Sequence, residues 1–149
     1  MCVFGASFGG YSALMLAARE PDLFRCAVGY VGVYDLTLLD KPRNNRWDDA
    51  SAAYIRKTVG PDKAALARIS PANLADRIRI PVLLVHGGKD KTAPVEHAEA
   101  MRAALVKAGR PPEWLLAPDE RHGFYDTHNL VKFYETLEAF LGKHLAAKP

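Results

Sequence analysis

The sequence predicts an α/β fold whose mostly parallel sheet has about four strands flanked by helices. Short apolar runs alternate along the chain with longer segments of helical spacing. These runs are continuous rather than alternating, which is typical of strands that are covered on both faces. A βαβα order of this kind favours parallel strands joined by right-handed crossovers.

The predicted elements follow the apolar runs and the helix-stop signals. We expect strands at residues 1–4, 26–34, 81–85 and 114–117. We expect helices at residues 12–19, 49–58, 63–68, 95–107 and 130–145. Pro21 and Asp22 stop the first of these helices. The polar stretch 40–48 predicts an exposed excursion from the carboxyl ends of the strands, either solvated or facing a substrate.

Composition sets broad limits on function. A chain of 149 residues is expected to form one domain, and its net charge of +3 is mild. Acidic and basic residues are interspersed, which argues against a nucleic-acid groove and against a basic membrane-binding patch. There is no apolar run of about 18 residues and no leader pattern, so the expected location is cytoplasmic. Cys2 and Cys26 are expected to be free, buried thiols, because nothing in the pattern demands a disulfide.

The segment 5–10 has the pattern G-x-S-x-G-G and lies between a predicted strand and a predicted helix. On such a sharp strand-to-helix turn, a serine hydroxyl is lifted clear of the sheet. The turn is expected to leave no room for side chains two residues before and two residues after the serine, at Gly5 and Gly9. Ser7 is therefore the candidate nucleophile.

A serine nucleophile needs a base, and that base needs a carboxylate to orient it. Asp90 follows the third predicted strand and His122 follows the fourth, which gives the chain order Ser7, Asp90, His122. Asp35, after the second strand, is an alternative acid. The competing histidines fall in helical patterns, where a solvated surface position is the ordinary interpretation: His97, His128 and His144.

The His86-Gly87-Gly88 run resembles an oxyanion motif of lipases, but that motif precedes the nucleophile in the chain, and this run follows it. We therefore interpret His86 as a packed or hydrogen-bonded residue at the end of a strand. The sequence contains no metal-ligand spacing and no phosphate-binding glycine loop, so neither a metal nor an organic cofactor is expected.

Together these motifs resemble the prolyl oligopeptidase family of serine peptidases, which are α/β-hydrolases. The chain, residues 1–149, is similar to the carboxy-terminal part of their catalytic domain, with the amino-terminal strands of the fold missing. The resemblance rests on residues 7–11, 21–24, 70–71, 81–87, 90–94 and 122–124.

The resemblance implies a serine-type oligopeptidase that cleaves peptide bonds through an acyl-enzyme. It implies that Ser7 is the nucleophile, Asp90 the acid and His122 the base. Two alternatives stay open: a carboxylesterase or acyl hydrolase with the same triad, and a catalytically weak fragment that acts only after assembly with an N-terminal half. A peptide or acyl compound is the expected substrate, and no nucleic acid or membrane partner is expected.

The resemblance also implies roles around the nucleophile. The backbone N–H of Phe8 is one expected oxyanion donor, and the second donor belongs to a loop among the earlier strands of the family. Tyr34 and Val33 are expected to line a substrate pocket.

An unpaired strand edge at residues 1–4 is prone to recruit another strand, so we expect it to pair with a second copy or with an amino-terminal segment.

Overall fold

The computed structural model describes residues 1–39, 57–58 and 60–146. These residues form one sheet of four parallel strands in the order β1-β2-β3-β4. The strands are β1 (Cys2–Ala6), β2 (Cys26–Tyr30), β3 (Val82–Gly87) and β4 (Glu113–Ala117). The predicted fold class, an α/β fold with a parallel sheet, is confirmed.

Helices connect and cover the strands. They are α1 (Phe8–Arg19), α2 (Lys63–Arg68), α3 (Glu96–Lys107) and α4 (Thr127–Leu145). Two 3₁₀ segments that the sequence patterns did not predict lie at Leu36–Leu38 and Pro71–Arg77. The predicted excursion 40–48, and all of the predicted helix 49–58 except its last two residues, lie outside the described residues. Among the described residues, none of the helices has the length and hydropathy that a membrane-spanning helix needs.

Both faces of the sheet are buried, which explains the continuous apolar runs. On one face, Ala27 and Leu84 pack in a cluster with residues of α1 and α3. On the other face, Val28 and Leu83 pack in a cluster with Phe133 and other residues of α4. Successive strand residues therefore point into different cores, and an apolar residue is needed at nearly every position.

The second strand is shorter than the predicted run 26–34. It ends at Tyr30, because Val31 has a φ of 44° and turns the chain out of the sheet. Positive φ is a genuine outlier for a β-branched residue. The N–H of Val31 still donates to the carbonyl of Val85 at 2.8 Å, which ties this bend to β3. After Tyr30, Val31 and Tyr34 are buried in the core without belonging to the strand.

Cys2 and Cys26 are joined by a disulfide, so the expectation of two free thiols was wrong. The two residues face each other in the parallel register of β1 and β2, with their Cα atoms 4.6 Å apart. That distance lies within the range that a disulfide bridges. The sequence patterns placed each cysteine in a strand but did not give the register that brings them together.

Reduction of this disulfide is expected to lower the free energy of unfolding by about 3.5 kcal/mol, because the bond closes a loop with a sequence separation of 24. Urea unfolding with and without a phosphine reductant measures the difference. A Cys2→Ser/Cys26→Ser double variant is the control and should not respond to the reductant. Titration of two free thiols in urea without reductant would contradict the pairing.

β1 forms one edge of the sheet in the described part, where β2 is its only neighbour. Phe4, on this edge strand, is 50% exposed. The strand pairing expected at residues 1–4 stays a prediction.

Candidate active site

Ser7 lies on the turn between β1 and α1. Its backbone has φ 55° and ψ −123°, a conformation that residues other than glycine rarely adopt and that costs free energy. The N–H of Ser7 donates to the carbonyl of Tyr30 at 2.9 Å, which anchors the strained turn to β2. The chain reverses sharply here, as in a nucleophile elbow, and the hydroxyl sits at the carboxyl end of the sheet.

The glycines around Ser7 are not equally crowded. A Cβ on Gly5 would overlap the carbonyl group of Gly9, and a Cβ on Gly10 would lie 2.9 Å from the Cα of Gly32. A Cβ on Gly9 would meet nothing within 4 Å. The expectation that Gly9 is also required for lack of room was therefore wrong for the described part. The start of α1 folds back over β1, so Gly5 lies directly against the carbonyl group of Gly9. The hydrogen that a methyl group would replace on Gly9 points into open space.

Gly5→Ala is expected to destabilise the protein by about 3 kcal/mol, because the added methyl group would overlap backbone that cannot move away. Gly9→Ala is the matched control, and its stability should stay within about 1 kcal/mol of the wild-type value. Urea unfolding followed by circular dichroism measures both variants. Equal stabilities for the two variants would contradict this description of the turn.

His122 lies in the loop between β4 and α4 and contacts both other candidate residues. Its Nε2 is 2.9 Å from Ser7 Oγ, and its Nδ1 is 2.8 Å from Asp90 Oδ2. An ionised carboxylate only accepts hydrogen bonds, so Nδ1 carries the hydrogen and donates it to Asp90. The lone pair of Nε2 is then free to accept the hydroxyl hydrogen of Ser7. This arrangement can take a proton from the serine.

Asp90 lies in the turn after β3 and is 5% exposed. Its Oδ1 accepts from the backbone N–H groups of Thr92 at 2.8 Å and of Ala93 at 2.9 Å. Burial acts to raise the pKa of Asp90, but hydrogen bonds from His86, His122 and the N–H of Ala93 outweigh burial and lower the pKa below its ordinary value. The carboxylate is therefore charged at neutral pH and is placed to stabilise a positive charge if the imidazole takes up a proton.

Glu120 holds the loop that carries His122. Its carboxylate accepts from the N–H of Tyr125 at 3.0 Å, from the N–H of Asp126 at 2.8 Å and from the side-chain amide of Asn129 at 3.2 Å. Burial acts to raise the pKa of Glu120, but these donors outweigh burial and lower the pKa. Sequence reasoning missed Glu120, because an acid in a polar loop is usually solvated and only its burial distinguishes it.

Tyr30 supports the same loop from the end of β2. Its hydroxyl accepts from the N–H of Phe124 at 2.7 Å, and its ring stacks on Phe133 of α4 with ring centroids 4.7 Å apart. Burial raises the pKa of Tyr30, so the hydroxyl stays neutral. No sequence signal indicates this role, because Tyr30 lies in the middle of the predicted strand 26–34 and the strand end at Tyr30 is visible only in the structure.

The competing candidates have other partners. Asp35 accepts from the N–H and the hydroxyl of Thr37 at 2.9 and 2.6 Å, and its own N–H lies 3.4 Å from Nδ1 of His97. His97 is fully buried, so the expectation of a surface position was wrong; it lies on the inner face of α3. His128 is exposed, as expected, and His144 is half-buried.

Phe8 is the first residue of α1, so its backbone N–H belongs to the unsatisfied first turn of that helix. The N–H follows Ser7 directly in the chain, which is where an oxyanion donor is placed in this kind of turn. The side chain is 60% exposed and stacks on Tyr11, with ring centroids 4.9 Å apart.

Tyr34 is fully buried, so the expectation that it lines a substrate pocket was wrong. Its ring fills the space that the absent side chains of Gly29 and Gly32 leave open. Burial raises the pKa of its hydroxyl. The bend at Val31 turns this residue back into the core. Val33 is half-buried.

An open cleft of about 690 Å³ lies beside His122. Its walls include Lys91, Arg121 and Tyr125, and His122 lies on its lining. Within residues 1–39, 57–58 and 60–146, no group of three or more His, Cys, Asp or Glu side chains is placed to hold a metal ion.

Comparisons with known proteins place this geometry in a family. The chain is 30% identical to dipeptidyl peptidase family member 6 of Caenorhabditis elegans, with 99% of this chain and 21% of that protein covered. It is 37% identical to a putative carboxymethylenebutenolidase of Yersinia pestis over 83% of this chain and 37% of that protein. A puromycin-hydrolysing peptidase structure from Mycobacterium tuberculosis matches 98% of this chain and 22% of its own, with 30% identity and a TM-score of 0.84.

The chain thus spans about a fifth of the length of the peptidases that it matches. Solved structures of α/β-hydrolase peptidases superpose on nearly all of it, which agrees with a partial domain of that fold. The model of the prolyl oligopeptidase family matches residues 1–148. With its elbow serine and its parallel sheet, the chain belongs to the prolyl oligopeptidase family of serine peptidases.

Proposed function

We propose that this protein hydrolyses peptide bonds of short peptides through an acyl-enzyme, with Ser7 as nucleophile, His122 as general base and Asp90 as the orienting acid. The observation that supports this proposal most is the pair of contacts that His122 makes, 2.9 Å to Ser7 Oγ and 2.8 Å to Asp90 Oδ2. One imidazole between a hydroxyl and a buried carboxylate is the arrangement that general-base activation of serine requires.

In the acylation step, His122 Nε2 takes the proton of Ser7 as Oγ attacks the carbonyl carbon of the substrate. The carbonyl oxygen becomes an oxyanion, to which the N–H of Phe8 donates a hydrogen bond. The tetrahedral intermediate then collapses: the C–N bond breaks, and the leaving nitrogen takes the proton from His122. Ser7 is left as an ester of the acyl group.

In the deacylation step, water attacks the ester carbon and gives a proton to His122. The bond between Ser7 Oγ and the acyl carbon breaks, and Oγ takes the proton back. Asp90 stays ionised in both steps. It holds His122 with the hydrogen on Nδ1 and stabilises the imidazolium that forms twice in each cycle.

The substrate class is proposed from the relatives. Several relatives have names that include dipeptidyl peptidase, which favours short peptides. A second candidate is an acyl-ester hydrolase, favoured by the relative named as a carboxymethylenebutenolidase, because a butenolide is a cyclic ester. Esters and amides share the tetrahedral route, so the same three residues serve both reactions.

Parallel assays with a dipeptide p-nitroanilide and a short-chain p-nitrophenyl ester separate the candidates. We expect turnover of both compounds, and Ser7→Ala is the control that should lose both activities. Turnover of the ester alone would favour the acyl-ester hydrolase. A burst of one equivalent of p-nitrophenol before the steady state would indicate that an acyl-enzyme accumulates, as the proposal requires. Slow turnover of both compounds without a burst would indicate a catalytically weak chain, because incomplete oxyanion stabilisation slows acylation as well as deacylation. Hydrolysis of neither compound, without a burst, would overturn the proposal.

A further inference from the structure

His86 is a buried polar residue near the end of β3 to which the proposed mechanism gives no role. It is fully buried, and its Nε2 lies 2.7 Å from the carbonyl oxygen of Ala93. A carbonyl oxygen only accepts, so Nε2 carries the hydrogen and donates it. Nδ1 is buried and has no hydrogen-bond partner among the described residues. These contacts place a hydrogen on Nε2 and leave Nδ1 without a donor or acceptor opposite it in the described part of the chain.

The same ring nitrogen faces the acid of the site. His86 Nε2 lies 3.4 Å from Asp90 Oδ2, the oxygen that accepts from Nδ1 of His122. On the other side of the carboxylate, the N–H of Ala93 donates to Oδ1 at 2.9 Å. Ala93 therefore links the two side chains: its carbonyl accepts from His86, and its N–H donates to Asp90. This connects the strand, the turn and the carboxylate in one closed set of contacts.

We propose that His86 is a positioning residue for Asp90: it fixes the turn from Gly87 to Ala93 so that Oδ2 points at His122. This inference rests on the proposed function, in which Asp90 orients His122. A hydrocarbon side chain of similar size would fill the same space but donate no hydrogen bond. The carbonyl of Ala93 would then be buried without its donor, and the turn would be free to shift to satisfy it.

Few other charged or titratable groups bear on this arrangement. The titratable side chains that contact the Asp90 carboxylate are His122, whose Nδ1 donates to Oδ2 at 2.8 Å, and His86, whose Nε2 lies 3.4 Å from the same oxygen. Lys89, in the same turn, is exposed and forms an ion pair with Asp119. The environment of the carboxylate is thus set mainly by two histidines and two backbone N–H groups. Of the two histidines, only His122 belongs to the proposed triad, and His86 lies outside it.

The test compares His86→Leu with His86→Gln. Leucine fills the space without a donor, whereas the amide nitrogen of glutamine can reach the position of Nε2 and donate to Ala93. The measured quantity is the tautomer of His122, read from its ring ¹⁵N shifts in ¹H–¹⁵N multiple-bond spectra of the whole chain. The rate of labelling by a fluorophosphonate probe is measured on the same samples.

We expect the wild type and His86→Gln to keep hydrogen on Nδ1 of His122. His86→Leu should give a mixed tautomer population and slower labelling by about 10-fold to 100-fold, the size of effect that follows from misplacing a catalytic group. Labelling of His86→Gln should stay within about threefold of the wild-type rate. If His86→Leu does not fold, His86→Asn takes its place, because its shorter amide ends near the position of Nδ1 and does not reach Ala93.

The role of His86 would be overturned if His86→Leu kept the wild-type tautomer of His122 and the wild-type labelling rate. It would also be overturned if the labelling rate fell equally in His86→Leu and His86→Gln. The tautomer does not depend on turnover, so this result is separable from the proposed function. If the tautomers change as expected but no substrate is hydrolysed, the proposed function fails and the positioning role stands. If hydrolysis occurs but the tautomer is insensitive to His86, only the positioning role fails.

Discussion

His122→Ala is expected to reduce kcat for ester and peptide hydrolysis by about 10⁶, because losing the base of such a triad costs about as much as losing the whole triad. Without the imidazole, the Ser7 hydroxyl loses the hydrogen-bond partner that would accept its proton, and no other side chain among the described residues is hydrogen-bonded to it. Single-turnover acylation with a p-nitrophenyl ester measures the loss in the chemical step directly.

His128→Ala is the matched control for this variant. His128 is exposed and lies near the start of α4, six residues after His122 in the chain. We expect its rate to stay within about threefold of the wild-type rate, as for a surface position away from the site. A His122→Ala rate close to the wild-type rate would contradict the assignment of the base.

Asp90→Asn is expected to reduce kcat by about 10⁴, the effect of leaving the geometry intact while favouring the wrong imidazole tautomer. The amide nitrogen of the introduced asparagine would donate a hydrogen bond to Nδ1 of His122, so the ring hydrogen would move to Nε2. A protonated Nε2 has no free lone pair and cannot accept the hydroxyl hydrogen of Ser7. Steady-state rates with the ester and the anilide measure this effect.

The same variant changes how stability depends on pH. The pKa of Asp90 in the folded chain lies below its ordinary value of 3.8, so the stability that its ionised form contributes is fully present above that value. This contribution is lost as the pH falls through the folded-state pKa. Asp90→Asn removes the contribution, so the loss of stability on acidification below about pH 4 should be smaller in the variant than in the wild type. Urea unfolding at several pH values measures it.

Asp35→Asn tests the alternative acid. The Asp35 carboxylate accepts from Thr37 and caps a 3₁₀ segment, so its loss is expected to cost stability but to change kcat by less than about threefold. An Asp35→Asn rate as low as that of Asp90→Asn would contradict the assignment of the acid.

Much of the fold could be predicted, because local patterns determine it. Continuous apolar runs indicated a sheet covered on both faces, and α2 occupies the predicted range. Features that depend on distant parts of the chain could not be predicted in the same way. The end of β2 is set by the positive φ of Val31, and the pairing of Cys2 with Cys26 is set by strand register.

Some residues of the candidate site could likewise be predicted from the sequence, and others could not. Ser7, Asp90 and His122 could be chosen from the sequence because each follows a strand, and in a parallel sheet the carboxyl ends of the strands lie at one edge. Glu120 also follows β4, and the sequence indicated for His86 only a packed or hydrogen-bonded position at the end of a strand. The importance of both residues comes from burial and from backbone groups that they contact only after folding. Tyr34 shows the converse error, since proximity to a strand end in the sequence did not place its ring at the surface.

The proposed function requires that His122 activates Ser7 as a nucleophile. Labelling with a fluorophosphonate probe, followed by mass spectrometry of the digested chain, measures this reactivity at the residue itself. We expect one probe per chain, attached to Ser7. Labelling should be lost in Ser7→Ala and retained in Ser12→Ala, because the Ser12 hydroxyl donates to the carbonyl of Phe8 within its own helix. Undiminished labelling of Ser7→Ala, or no labelling of the folded wild type, would contradict the activation of Ser7.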